Sequence, residues 1–277
     1  MTYRLICDSC TDLPTELKSD PGVKKVPLTI QIGAETVVDS EDFHQGELLQ
    51  KMRAWPDAPK TACPSPSMYL DQFLPGGDNY VVTLSGQLSG SYNAAMQARA
   101  IYQEERGDGN VHVFNSRSAS SGQAQIALLV RELAGRGLPF AQVVEKVETY
   151  IGRMKTLFVL ENLDNLRKNG RLTRMQSLVT GALRVKLLCG ATPEGEIQKM
   201  GQGLSVRQTL AKMVSRMAED ADHADRRLVI AHCNCLERAE ALKEMVRQRC
   251  RFGEILIVAT GGISTVYAND GGIVTAY

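Results

Sequence analysis

Residues 81–95 of the chain read VVTLSGQLSGSYNAA. The four apolar or β-branched residues Val81–Leu84 predict a short buried strand, and the Ser and Gly residues after them predict a tight turn. From Ser89 onward, the Ala- and Gln-rich sequence predicts a helix. A helix N-terminus at the end of a strand presents free backbone N–H groups and the positive end of the helix dipole. The stretch therefore predicts a strand–turn–helix unit with an anion site at its turn.

The charge around this turn limits the kind of anion. No Lys or Arg occurs between Asp78 and Arg99, so the nearby side chains offer only hydroxyls. A phosphate-binding P-loop needs four residues between its glycines and then a lysine, whereas three residues separate Gly86 from Gly90 and Ser91 follows. The Gly-x-Gly-x-x-Gly fingerprint of dinucleotide sites is also absent. We expect one small acidic head group rather than a polyphosphate.

Two other interpretations of the serines stay open. Serine at a helix start is commonly an N-cap with no further role. A nucleophile elbow has the pattern Gly-x-Ser-x-Gly, and this turn has Gly86-x-x-Ser89-Gly90, which is one residue out of register. A serine-based acyl hydrolase using Ser89 is therefore the alternative function.

Composition excludes several classes of protein. The 277 residues are 43% hydrophobic and 23% charged, which is ordinary for a globular protein, and the net charge of +1 provides no field for nucleic acid. No apolar run is long enough to span a membrane, so we expect no integral membrane segment and a cytoplasmic location. The seven cysteines are an odd number and predict no disulfide framework, and the Cys233-x-Cys235 spacing is tighter than that of common structural zinc sites, so we expect no metal and no cofactor.

Strand patterns alternate with helical patterns through most of the chain. Strand patterns cover Tyr3–Cys7, Val23–Ile32, Tyr80–Leu84, Val111–Asn115, Leu157–Leu160, Val185–Cys189, Leu228–His232, Ile255–Ala259 and Ile273–Ala276. Helical patterns cover Gly46–Ala54, Pro66–Leu74, Ser89–Glu104, Ala119–Ala134, Phe140–Arg153, Arg174–Leu183, Leu204–Asp220 and Leu236–Arg249. Strands separated by helices of this length predict an α/β fold with mostly parallel sheets.

A pair of helical patterns between Ala119 and Arg153 interrupts this alternation, and Ile151-Gly152-Arg153 is a candidate hinge. We predict two α/β domains, an N-terminal one at 1–153 and a C-terminal one at 154–277. The ligand is expected between or within them, with the last strand returning to the site.

Hydroxyl-rich segments follow three of the N-terminal strands. They are Asp8–Asp12, Ser85–Ser91 and Asn115-Ser116. Ligands of open α/β sheets bind beyond the carboxyl ends of the strands, so these segments are expected to converge. The candidate ligand-binding residues are Ser85, Gly86, Ser89, Gly90, Ser91 and Ser116. Asp8 and Asp12 are either an acid–base pair or simple turn residues.

A basic segment, Leu166–Arg174, contains four positive charges. Such a segment is typical of a helix C-terminus. The alternative is a docking surface for a partner protein, in which Arg171 and Arg174 would make the contacts.

Four segments together resemble the DegV family of fatty-acid-binding proteins. Asp8–Pro14 is similar to the family's Asp-Ser-x-x-Asp-Leu, and Thr61–Ser65 to Thr-Ser-Gln-Pro-Ser. Leu88–Tyr92 is similar to Leu-Ser-Gly-Thr-Tyr, and Leu163–Leu172 to Leu-x-x-Leu-x-x-Gly-Gly-Arg-Ile. Each match is short, but the four occur in the family's order along the chain.

The resemblance implies a non-catalytic protein that buries a long-chain fatty acid in an internal tunnel. It implies that Thr61 and the serines of residues 85–91 hold the carboxylate, and that the catalytic subunit of a fatty acid kinase phosphorylates it. Where the family has His-x-Gly-Pro-Gly, this chain has Tyr267–Gly271, so the histidine's contact is expected to pass to the Tyr267 hydroxyl. Further differences are Ala62 and Cys63 in place of Ser-Gln.

Overall fold

Three β-sheets and the helices around them form the part of the chain that the structure describes. This structure is a computed structural model, and it describes residues 3–40, 43–172, 185–220, 223–224 and 226–277. The strands are β1 (Tyr3–Asp8), β2 (Val23–Val26), β3 (Thr29–Ile32), β4 (Glu35–Val38), β5 (Lys60–Ala62), β6 (Asp78–Thr83), β7 (Asn110–Asn115), β8 (Thr156–Val159), β9 (Lys186–Ala191), β10 (Ile197–Gly203), β11 (Arg227–His232), β12 (Glu254–Ala259) and β13 (Ile273–Ala276). The helices are α1 (Thr15–Lys18), α2 (Gln45–Ala54), α3 (Pro66–Leu70), α4 (Ser91–Glu105), α5 (Ser121–Gly135), α6 (Phe140–Arg153), α7 (Asp164–Lys168), α8 (Val206–Glu219), α9 (Leu236–Arg247) and α10 (Gly262–Ala268). Within the described residues, no helix is both long and apolar enough to cross a membrane.

The first sheet has the strand order β2-β1-β6-β7, and all its strands are parallel. Its two central strands are buried on both faces: Leu5 and Val82 pack into one apolar cluster, while Ile6 and Val81 pack into another on the opposite face. Continuous apolar sequence is what a parallel sheet covered on both sides requires. The buried strand predicted at Val81–Leu84 is therefore confirmed over Val81–Thr83, the end of β6, and Leu84 is the first residue after it.

The second sheet has the order β10-β9-β8-β13-β11-β12, and only β11 and β12 pair in parallel. The α/β class is confirmed, but mostly parallel pairing holds for the first sheet only. Two local causes explain the difference. The turn at Thr192–Glu196 joins β9 and β10 as a hairpin, and β13 returns antiparallel between β8 and β11. Strand β10 was not predicted from the sequence, because Ile197–Gly203 contains two glycines and a bulge rather than clear alternation.

The third sheet is small and antiparallel, with the order β4-β3-β5. The single strand predicted at Val23–Ile32 is divided by Pro27 into β2 and β3, which belong to different sheets. Proline has no N–H to donate to a ladder, which is why the strand ends there. Pairing of Thr61 with Ile30 in this sheet fixes the position of the Thr61 side chain.

Helix α5 packs against both larger sheets. Ile126 and Val130 lie in the apolar cluster of the first sheet, and Ala124 packs with Val229 and Ala231 of the second. Because α5 packs against the first and the second sheet, its width sets the distance between the two sheets at this point. The division into domains at residue 153 stays a prediction, and the helix predicted at Arg174–Leu183 lies outside the described residues.

The β9–β10 hairpin docks onto the loops at the ends of β6 and β7. Ser85 Oγ donates a 2.8 Å hydrogen bond to the Gly195 carbonyl, and Arg117 Nη1 donates one to the Pro193 carbonyl. Gly195 has a φ of +93°, and a Cβ there would lie 2.3 Å from Ser85 Oγ. Glycine is therefore required here both by backbone conformation and by close approach.

The substitution Gly195→Ala tests this docking. We expect it to lower the free energy of unfolding by about 3 kcal/mol, because strain and overlap act together. Gly137→Ala is the matched control, since Gly137 has a φ of +78° but no neighbour within 4 Å of a new Cβ. Strain alone predicts about 1 kcal/mol for the control. Equal losses in urea unfolding of the two variants would contradict the docking contact.

Candidate functional site

A cavity of about 330 Å³ lies where the carboxyl ends of β1 and β6 meet β8, β9 and β13. Its size is at the lower end of the range of ligand sites in proteins. Most of its wall is hydrocarbon. The apolar lining residues are Leu28, Ala62, Leu84, Leu88, Ala119, Phe158, Leu160, Leu166, Ala191, Ile197, Ile263, Ala268 and Val274.

One end of the cavity carries a pair of hydroxyls, and we call it the head end. Thr61 Oγ1 and Tyr267 Oη are 2.7 Å apart, and Ser89 and Gly90 line the same cavity. Burial raises the pKa of Tyr267, while the hydrogen bond with Thr61 and the charge of Arg171 act in the opposite direction. Tyr267 therefore keeps its proton at neutral pH and can donate a hydrogen bond to an anion.

Arg171 also lines the cavity and brings a positive charge to it. Its Nε donates a 3.1 Å hydrogen bond to the Leu88 carbonyl, and its Nη1 donates to the Asn169 carbonyl. This charge was not predicted from the sequence around the turn, because Arg171 is 83 positions away from Leu88 in the chain. Arg174, the second predicted docking residue, lies outside the described residues.

Two predicted ligand-binding residues at the start of the loop do not line the cavity. Ser85 is fully buried, and its hydroxyl is used by the Gly195 carbonyl. Gly86 donates its backbone N–H to Asn115 Oδ1 at 3.2 Å. These residues shape the loop and anchor the hairpin, and their atoms face protein groups.

Ser91 and Ser116 are likewise outside the cavity wall. Ser91 is fully buried at the start of α4, with its Oγ 3.1 Å from Ser89 Oγ. Ser116 is also fully buried, and its Oγ donates to the Ser118 carbonyl at 3.0 Å. Of the predicted serines, Ser89 alone is on the wall. Sequence spacing does not reveal which hydroxyls of a tight loop face inward.

The opposite end of the cavity has a second hydroxyl pair, which was not predicted from the sequence. Ser118 Oγ lies 2.7 Å from Thr156 Oγ1, and both residues line the cavity. Thr156 begins β8, and Leu160 just beyond the end of that strand packs in one cluster with Tyr267. Four residues of strand correspond to about 13 Å, so this far end is well separated from the head end.

Asp8 is a structural residue rather than an acid–base group. It is fully buried and accepts hydrogen bonds from Leu84 N at 2.7 Å, Gln123 Nε2 at 2.8 Å and Cys10 N at 3.2 Å. Burial raises its pKa to about 7, although these donors lower it. The carboxyl group fixes the loops after β1 and β6 on which the head end is built, and it does not line the cavity.

Asp12 joins the first sheet to α10. Its Oδ1 accepts a 2.7 Å hydrogen bond from Gly261 N, and its Oδ2 accepts one from Ser120 Oγ. Burial raises the pKa of Asp12 to about 6, against the effect of these bonds. Since Tyr267 is carried by α10, Asp12 helps to position the head end.

The cysteines are free thiols, and Cys63 is an exposed one on the cavity wall beside Gly90. Among the described residues, no group of three His, Cys, Asp or Glu side chains could hold a metal ion.

Comparisons with known proteins agree with this architecture. Residues 2–277 match a family model described as "Uncharacterised protein, DegV family". A DegV domain-containing protein of Streptococcus gordonii is 33% identical over 281 residues, covering 100% of this chain and 99% of the relative.

Solved structures give the same result. A DegV family protein of Ruminococcus gnavus, refined with vaccenic acid, is 45% identical with a TM-score of 0.95, covering 100% of this chain and 99% of that one. The Fatty Acid Kinase (Fak) B3 protein of Streptococcus pneumoniae, loaded with linoleic acid, is 32% identical with a TM-score of 0.91, with the same coverage. A DegV family protein of Eubacterium eligens, loaded with heptadecanoic acid, is 26% identical with a TM-score of 0.90, covering 99% and 98%.

The raised pKa of Asp12 predicts a pH-dependent stability. Because the folded protein binds this proton more tightly than the unfolded chain, the free energy of unfolding falls as pH rises from 3.8 to about 6. In Asp12→Asn, the amide oxygen can accept from Gly261 N and the amide nitrogen can donate to Ser120 Oγ, but the side chain does not titrate. The fall in the free energy of unfolding should therefore be about 2–3 kcal/mol smaller in this variant. Urea unfolding across the pH range measures the effect. Asp57→Asn, on an exposed loop, should leave the profile unchanged. An unchanged profile in Asp12→Asn would contradict the prediction.

Proposed function

The chain belongs to the DegV family, and on that premise we propose that it is a fatty-acid-binding protein without catalytic activity of its own. The acyl tail occupies the apolar cavity, and the carboxylate lies at the head end. The observation that carries this proposal is the Thr61–Tyr267 hydroxyl pair at the end of a hydrocarbon-lined cavity. The related structures that hold vaccenic, linoleic and heptadecanoic acids support the same ligand class.

The tail supplies most of the binding energy in this arrangement. Burying about fifteen methylenes at about 0.8 kcal/mol each gives an upper value of about 12 kcal/mol. Each hydrogen bond to the carboxylate contributes about 1.5–3 kcal/mol, partly offset by desolvation of the charge. Thr61, Ser89 and Tyr267 therefore contribute less to the total affinity than the tail does. Their main effect is to place the carboxylate, rather than the methyl group, at the head end.

We further propose that the carboxylate is presented to a separate kinase subunit. Arg171 donates its Nε and Nη1 to the Leu88 and Asn169 carbonyls, so the carboxylate is held by hydroxyls rather than by a bidentate arginine. Hydroxyls hold an acid less firmly, which suits a ligand that a second protein must modify. The likeness to the Fatty Acid Kinase (Fak) B3 protein supports this partner. Docking of a partner through Arg171 stays a prediction, as does the cytoplasmic location.

A hydrolytic role for Ser89 has less support. Among the described residues, Ser89 Oγ is hydrogen-bonded with Ser91 Oγ and accepts from the Ser91 N–H. Neither group can act as a general base. No histidine is among the described residues that line the cavity.

The direct test of the proposed function is denaturing mass spectrometry of protein purified from cells. We expect one long-chain fatty acid released per protein molecule. Protein that is empty as purified and that cannot be loaded with any long-chain acid would contradict the proposal.

Tyr267→Phe tests the head end. We expect about tenfold weaker binding of a fatty acid, because one hydrogen bond to a charged group is lost. Binding of the corresponding methyl ester should change much less, since the ester has no charge to stabilise. Titration calorimetry with both ligands measures the difference. Tyr150→Phe, a half-buried tyrosine outside this cavity, is the control. An equal loss for acid and ester in Tyr267→Phe would contradict this role.

A further inference from the structure

The far end of the cavity is more polar than a hydrocarbon tail requires. In the proposed orientation, the tail runs from the head end along β8 toward Thr156. There it meets the oxygens of Ser118 and Thr156, which are 2.7 Å apart. Sites for apolar groups are lined mainly by apolar side chains, with a few polar groups placed to contact polar atoms of the ligand. The pair is therefore in a position to contact a polar atom on the ligand.

The hydroxyl pair has hydrogen-bonding capacity to spare. Two hydroxyls offer four acceptor sites, and their mutual hydrogen bond uses one of them. Ser118 Oγ also lies 3.4 Å from the Ala119 carbonyl, to which it can donate. In the described part of the chain, no other donor reaches either oxygen. A saturated tail offers neither donor nor acceptor, so it costs free energy when the tail shields these lone pairs from water.

Space for a substituent at the far end lies beyond its wall. A Cβ on Gly190 would lie 2.8 Å from the Thr156 carbonyl oxygen and 3.1 Å from the Met200 side chain, so the wall itself is closely packed there. Thr156, Ala191 and Arg117 line a second cavity of about 480 Å³ as well, so the partition between the two cavities is one side chain thick. The second cavity beyond Thr156 and Ala191 is therefore the space into which a group on the acyl chain can project.

We propose that the Ser118–Thr156 pair selects fatty acids that carry a hydroxyl on the distal half of the acyl chain. The ligand hydroxyl donates to one of the two oxygens, and the rest of the tail occupies the apolar middle of the cavity. This inference rests on the proposed function, because it requires the carboxylate at the head end. It adds a second polar subsite to the binding of an acyl chain.

The experiment measures dissociation constants for stearic acid and a series of hydroxystearic acids in which the hydroxyl moves along the distal half of the chain. We expect at least one position to bind about fivefold more tightly than stearic acid, as one net hydrogen bond predicts. The isomer with its hydroxyl beside the carboxylate should show no such gain. If stearic acid binds and no distal hydroxyl improves its affinity, the inference is overturned while the proposed function stands. If no fatty acid binds, both fail.

Variants at Thr156 assign the effect to the pair. Thr156→Val should abolish the gain from the distal hydroxyl and leave stearic acid bound at least as tightly, whereas Thr156→Ser should retain the gain. Thr36→Val, on the exposed edge strand β4, is the matched control and should retain it as well. Persistence of the gain in Thr156→Val would overturn the inference. If that variant does not fold by circular dichroism, the position series in the wild-type protein decides.

Discussion

The hydrogen bond between the Thr61 and Tyr267 hydroxyls joins segments 206 positions apart and defines the head end of a largely apolar cavity. Each residue is placed there by the secondary-structure element that carries it. Thr61 is held by pairing of β5 with β3, and Tyr267 is held by α10. The rest of the architecture serves to bring these two elements together around a volume large enough for an acyl chain.

Buried carboxylates provide that positioning. Asp12 accepts from the backbone at the start of α10, and Asp39 accepts from Gly262 N and Ile263 N. Asp8 fixes the loop after β6 in the same way. Burying such groups is costly unless they are hydrogen-bonded, and here N–H or O–H donors from two or more segments converge on each. The buried carboxylates thus hold the loops and the helix around the head end, and the Thr61 and Tyr267 hydroxyls, paired with each other, line the cavity.

Local pattern was enough to predict the α/β class, the buried strand at Val81–Leu84 and the helix that follows. Local pattern could not predict which strands share a sheet. Residues Val23–Ile32 form two strands because the chain passes from one sheet to another at Pro27. The antiparallel position of β13 between β8 and β11 depends on contacts between segments far apart in the chain. The position of Thr61 on the cavity wall was expected from a family resemblance, since its local sequence looks only like a turn. The far pair, Ser118 and Thr156, was missed because residues 38 positions apart carry no joint signal in one sequence.

The orientation of the ligand is the central claim, and a crystal structure with a long-chain fatty acid bound tests it most directly. We predict carboxylate oxygens within hydrogen-bonding distance of Thr61 Oγ1 and Tyr267 Oη, with the tail directed along β8 toward Thr156. A carboxylate at the Ser118–Thr156 end, or an acid bound outside the cavity, would contradict the account.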